Sequence, residues 1–169
     1  TQRDIGAALT NPIVNAMTDL AEGTQQGQRD GNSVKVTSMK YDFFFSIPDV
    51  VGADAFNSIR CIFYIPKDVG DLLGTSTNLQ WNEPVDYDRY TVLKDMFITL
   101  SKEGQRCVRR QGYLSFRRKG KSLGLKVLYK GSASNDGTSN RVLVYMVSDS
   151  GIVAHPQVSG YIRTFYKDA

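Results

Sequence analysis

The stretch RYTVLKDMFITL, Arg89 to Leu100, decides how the chain is read. Tyr90, Val92, Met96, Ile98 and Leu100 keep a period of two, the spacing of side chains on one face of a β-strand. Lys94-Asp95 interrupts the middle of that run. Such a pair has two readings: both side chains point outward at a strand kink, or they make a register-fixing or subunit contact.

Strand signals dominate the rest of the chain. Val34 and Val36 begin an alternation that Met39, Tyr41, Phe43, Phe45 and Ile47 continue in the opposite phase. A shift of one residue near Thr37-Ser38 predicts a β-bulge inside one long strand. Further strands are predicted over 58–65, 89–101, 107–116, 122–129, 141–147 and 158–166, with turn clusters such as Ser134-Asn135-Asp136-Gly137 between them. The 141–147 run is apolar throughout, as in a strand covered on both faces. Helix signals are short. Asn11-Pro12, then Ile13, Met17 and Leu20, with Gly23 beyond, predict a brief helix, and residues 68–73 suit one or two turns. About eight strands with irregular connections predict an all-β fold: one eight-stranded jelly-roll sandwich with short helices in its connections. An N-terminal arm or short helix is expected over 1–23 and the sandwich over 24–169. The strand spacing is too uneven for an immunoglobulin-type arrangement.

The 169 residues suit a single domain, and 41% hydrophobic content supports a sizeable core. The net charge of +4 hides an asymmetry. Ten basic residues and one acid fall between Ser101 and Gly131, against eleven and sixteen elsewhere. A basic block in an otherwise acidic chain points to a polyanionic partner. Within it, Arg109, Arg110, Arg117, Arg118, Lys119 and Lys121 are the candidate phosphate contacts, with Tyr113 or Phe116 as stacking partners for bases. Those side chains also suit a solvated face, or attachment to an acidic host surface.

Catalytic signals are weak. His155 is the lone histidine and no serine or cysteine motif partners it; the carboxylates are scattered over loops. No phosphate-binding glycine pattern and no histidine/cysteine metal spacing occurs. An enzyme is not expected, and a cupin would need several metal-binding histidines. Cys61 alternates with Ile59, Phe63 and Ile65 as a small buried hydrophobe. No run is long enough to span a membrane, so insertion is not expected.

Three segments taken together carry a family likeness: GQRDGNSVKVTSMKYDF, RYTVLKDMFITL and the closing YIRTFYKDA. Their order and spacing resemble capsid proteins of small circular single-stranded DNA viruses and the related satellite tobacco necrosis virus coat protein. In that group a Gln-Arg-x-Gly turn, here Gln28, Arg29 and Gly31, opens a long strand. An aromatic-Thr-Val-Leu-Lys-Asp strand, here Tyr90 to Asp95, follows mid-chain. The resemblance implies a structural subunit of a small icosahedral (T=1) shell, a homo-oligomer that packages a single-stranded DNA or RNA genome and resides in the virion. It also implies a basic arm ahead of Thr1, since residues 1–30 hold only Arg3 and Arg29. Calcium is implied too, through the carbonyls of Asp30 and Ser33 and the side chain of Asp168. The competing expectation is a jelly-roll binding module, lectin- or cytokine-like, that forms no shell.

Overall fold

The computed structural model describes residues 2–7, 13–18, 20–25, 28–74, 78–116, 124–131, 137–151 and 154–168. They form ten strands, and no helix occurs among them: β1 Arg3–Asp4, β2 Ile13–Ala16, β3 Ser33–Ser46, β4 Phe56–Pro66, β5 Tyr90–Ser101, β6 Cys107–Ser115, β7 Leu125–Tyr129, β8 Gly137–Ser139, β9 Leu143–Ser148 and β10 Gln157–Asp168. Each of the seven strands predicted from the sequence has a counterpart among the described residues, and residues 122–123 of the 122–129 prediction lie outside them. The helix predicted after Pro12 is not: Ile13–Ala16 pairs antiparallel with β9. Residues 68–73 make a turn, closed by Asp71 N–H donating to the Asp68 carbonyl at 3.0 Å, and no helix. Residues 3–4 and 13–16, expected in an arm, each pair into a sheet.

Two antiparallel sheets make a sandwich. Sheet A runs β1-β10-β3-β7-β8, with β6 also paired to β3; sheet B runs β2-β9-β4-β5. Alternation along β3 drives Val34, Val36, Met39, Tyr41, Phe43 and Phe45 inward. There Tyr41 and Phe43 meet Phe63 of β4 with ring centroids 4.9 and 6.2 Å apart, tying the sheets together. The phase change in β3 is a bulge, as predicted. Ser38 pairs with Phe165 and Val36 with Tyr166, which leaves Thr37 as the extra residue. At that point the neighbour of β3 on its other side changes from β6 to β7.

The outer face of sheet B is covered by the chain itself. Leu73, Leu79 and Val85, from the long β4–β5 connection, are buried against Ile62, Tyr64, Tyr145 and Val147. Polar pins hold this cover. Tyr145 Oη donates to the Leu79 carbonyl at 2.7 Å, and Tyr64 Oη accepts from Leu73 N–H at 3.1 Å. β9 therefore lies between two apolar layers, which explains its uninterrupted apolar run.

The Lys94-Asp95 question resolves at a second bulge. Val92 pairs with Tyr64 but Lys94 pairs with Phe63, so Leu93 is the extra residue in β5. The bulge switches faces. Tyr90 and Val92 join the outer layer, whereas Met96, Ile98 and Leu100 join the inter-sheet core. Lys94 and Asp95 thus point to opposite faces, not both outward. Lys94 is half-buried, its Nζ 5.3 Å from the Tyr41 ring centroid. Asp95 binds Arg60 on the outer side, with Nη2 to Oδ2 at 2.6 Å and Nε to Oδ1 at 3.0 Å.

Candidate nucleic-acid interface

The outer face of sheet A carries no covering layer among the described residues. Its composition follows from the phases of four strands. Inward positions of β3 are spent on the core, so Lys35, Lys40, Asp42 and Phe44 take the outward ones. Cross-strand pairing sets Tyr161, Arg163, Phe165 and Lys167 of β10 on one flank. Arg109, Gln111 and Tyr113 of β6 occupy the other flank, with Lys126 of β7 beyond the Thr37 bulge. Six cations share this face: Lys35, Lys40, Arg109, Lys126, Arg163 and Lys167. Asp42 is the acid among these positions, and a second, Asp4 of β1, accepts from Gln157 Nε2 at 2.9 Å at the edge of the same face. Four aromatic side chains stand exposed among them, Phe44 at 44%, Tyr113 at 58%, Tyr161 at 50% and Phe165 at 40%.

Asp42 is tied down by Arg109, whose Nε and Nη2 donate to the two carboxylate oxygens at 2.9 and 2.6 Å. This hydrogen-bonded pairing holds the Asp42 carboxyl below its ordinary range and raises Arg109. Arg109 therefore presents a fixed planar guanidinium more than a free phosphate clamp.

The predicted basic residues do not act as one group. Arg109 lies on the outer face, but Arg110 pairs with Phe43 and so has the opposite phase, exposed at the edge of the sandwich. Tyr113 is outward and available for stacking. Phe116 is not: it is partly buried against the inter-sheet core. Arg117, Arg118, Lys119 and Lys121 lie outside the described residues. The sequence reading missed Lys35, Lys40, Arg163 and Lys167. Their signal is a period of two in polar and aromatic residues on β3 and β10, which becomes a site only once these strands pair.

The Gln-Arg turn is organised around a buried cation. Arg29 is fully buried, and its guanidinium donates to the carbonyls of Leu20 (3.0 Å), Gly31 and Gly131. Its guanidinium carbon lies 4.2 Å from the Tyr129 ring centroid. Asp30 is exposed at this turn, Ser33 opens β3, and the backbone of Asp168 pairs with Val34 beside it. The three calcium candidates thus meet at one end of sheet A. They supply at most three donors of the kind expected, against the six to eight oxygens calcium takes, so one chain does not complete such a site. Among the described residues, no group of three or more His, Cys, Asp or Glu side chains is placed to hold a metal.

His155 donates or accepts through Nδ1 with Ser150 Oγ at 3.2 Å, and Ser150 Oγ donates to Asp54 at 3.3 Å. The serine stands between the other two and is buried, so the histidine does not bridge acid and nucleophile as a hydrolase requires. Cys61 is buried, which pushes its thiol up, and Cys107 is exposed; both are free.

No protein-family model matches the chain, and no curated protein matches it.

Proposed function

We propose that this chain is a jelly-roll shell subunit that assembles into a closed icosahedral particle and packages a single-stranded genome against the outer face of sheet A. The observation that carries the reading is that face: six cations around four exposed aromatic rings, with the acid among them, Asp42, already neutralised by Arg109. Lysines and arginines neutralise phosphates without regard to sequence, and the rings offer stacking surfaces to any base. The strand pairing supports the architecture. β1 pairs with β10, β2 with β9, β3 with β6, and β4 with β5, as in one long antiparallel ribbon rolled into a sandwich. This pairing supports a jelly-roll connectivity, with β7 and β8 added between its sixth and seventh strands. The likeness of the Gln-Arg turn and of β5 to shell-forming coat proteins points the same way.

Electron microscopy of the purified protein, with nuclease digestion of its contents, tests the reading. Closed particles holding nuclease-protected nucleic acid are expected. Lys35, Lys40, Arg163 and Lys167, changed together to Ala, should give folded subunits that protect much less nucleic acid. A strictly monomeric protein at high concentration in physiological salt would overturn the shell assignment.

A further inference from the structure

We propose that Phe44 and Tyr161 form a seat for a single nucleobase, so that the outer face of sheet A selects unpaired strands over duplex. This deepens, and rests on, the reading that the face meets nucleic acid. Phe44 is opposite Ser159, and Tyr161 opposite Asp42, so the two rings stand on adjacent strands one diagonal step apart. Diagonal neighbours of this kind are separated by about 7–8 Å. A flat base between two rings needs roughly 3.5–4 Å on each side, which is the same span. A depression of about 400 Å³ lies there, lined by Asp42, Phe44, Arg109, Ser159, Gly160 and Tyr161.

The depression has a built floor and wall. Gly160 has φ +147°, and a Cβ at that position would come within 2.1 Å of the Asp42 carbonyl oxygen, so only glycine allows β10 this approach to β3. Arg109, fixed by both oxygens of Asp42, adds a guanidinium plane on the third side and cancels the charge that would repel a nucleotide. Lys40 and Arg163, paired across β3 and β10 one row beyond Tyr161, are placed to hold the phosphates that follow the seated base. A duplex keeps its bases paired and stacked inside, and offers this seat only its backbone.

Fluorescence anisotropy of the intact protein with an oligodeoxythymidine of about 20 nucleotides, and with a duplex of equal length, tests the seat across a salt series. Phe44→Ala and Tyr161→Ala should each weaken strand binding about 5- to 150-fold while leaving the salt slope unchanged. Tyr161→Phe should retain binding, and unchanged melting temperatures exclude unfolding as the cause. Lys40→Ala should instead lower the slope by about 0.7 and keep the preference for the strand. If the double Ala variant keeps the wild-type preference, the seat is wrong although the cationic face stands. If the wild-type protein binds neither probe, the parent reading itself falls.

Discussion

Two buried arginines show how single residues fix this fold. Arg29 replaces water for the carbonyls of Leu20, Gly31 and Gly131, and so closes the turn from which β3 departs. Arg60 does the comparable task on sheet B. Its guanidinium binds Asp95, donates to the Glu83 carbonyl and lies 5.0 Å from the Phe97 ring centroid, so the cover over sheet B is fastened to β4 and β5 together. Arg60 is almost wholly buried and Asp95 about a quarter exposed, at 6% and 24% of their side chains. Removing the acid alone leaves a guanidinium with its carbonyl partners but no counter-charge, which costs about 3–5 kcal/mol in a dry site. Partial exposure of Asp95 lowers that to about 2–3 kcal/mol here. Asp95→Ala should therefore lower the denaturation midpoint clearly, while the double change Arg60→Met, Asp95→Leu should lower it less. Equal losses in urea titrations of the two variants would mean that the ion pair has no such asymmetry.

At the scale of elements, β5 is informative because it forms the open edge of sheet B. An exposed edge of this length is a template for unwanted strand pairing, and natural sheets blunt such edges with bulges and inward-pointing charges. β5 has both, a bulge at Leu93 and Lys94 directed into the sandwich. Lys94→Leu is expected to keep or raise the melting temperature while increasing amorphous, β-rich aggregation when the denatured protein is diluted into buffer. Light scattering during refolding checks this, and an unchanged refolding yield would remove the edge-protection role. The charged pair was visible in the sequence, and so was a break near it. Its meaning was hidden because the apolar residues stay even-numbered on both sides of Lys94, although the bulge sends the two halves to different cores. The Thr37 bulge was legible because there the apolar phase visibly changes. The N-terminal segment misled for a related reason. Ile13 and Met17 are four apart, as on a helix face, yet both reach the inter-sheet core from a strand end and the turn after it. Pairing with β9 outweighs a weak local propensity in a segment this short.

Across the whole molecule, charge is sorted by sheet pairing more than by position along the chain. The basic block of residues 101–131 was legible as a charge excess, but it divides between opposite faces at Arg109 and Arg110. Four of the six cations on the face come instead from Lys35, Lys40, Arg163 and Lys167, and no local pattern links β3 to β10 across more than a hundred residues. Asp42 sits among these cations and sets how many of them are free. Arg109 and, to a smaller extent, Lys40 hold its carboxyl below the ordinary value of 3.8. A folded-state carboxyl depressed in this way contributes stability above its unfolded pKa and loses it as pH falls through the lower folded pKa. The same sign holds for Asp49 beside Arg106 and for Asp71 beside Arg89. Stability from these pairs should thus be level from neutral pH to about pH 4 and decline only below it. Protonating Asp42 also releases the charge of Arg109 to the face, an effect that Asp42→Asn reproduces at neutral pH. That variant should bind single-stranded oligonucleotide more tightly than the wild-type protein, and its log-affinity should fall more steeply with log-salt by about 0.7, the increment for one added phosphate contact. Anisotropy titrations from low to high salt measure both quantities. A variant with an unchanged slope would show that Arg109 stays out of phosphate binding even when its acid is neutral, leaving the lysines and Arg163 as the contacts that hold the backbone.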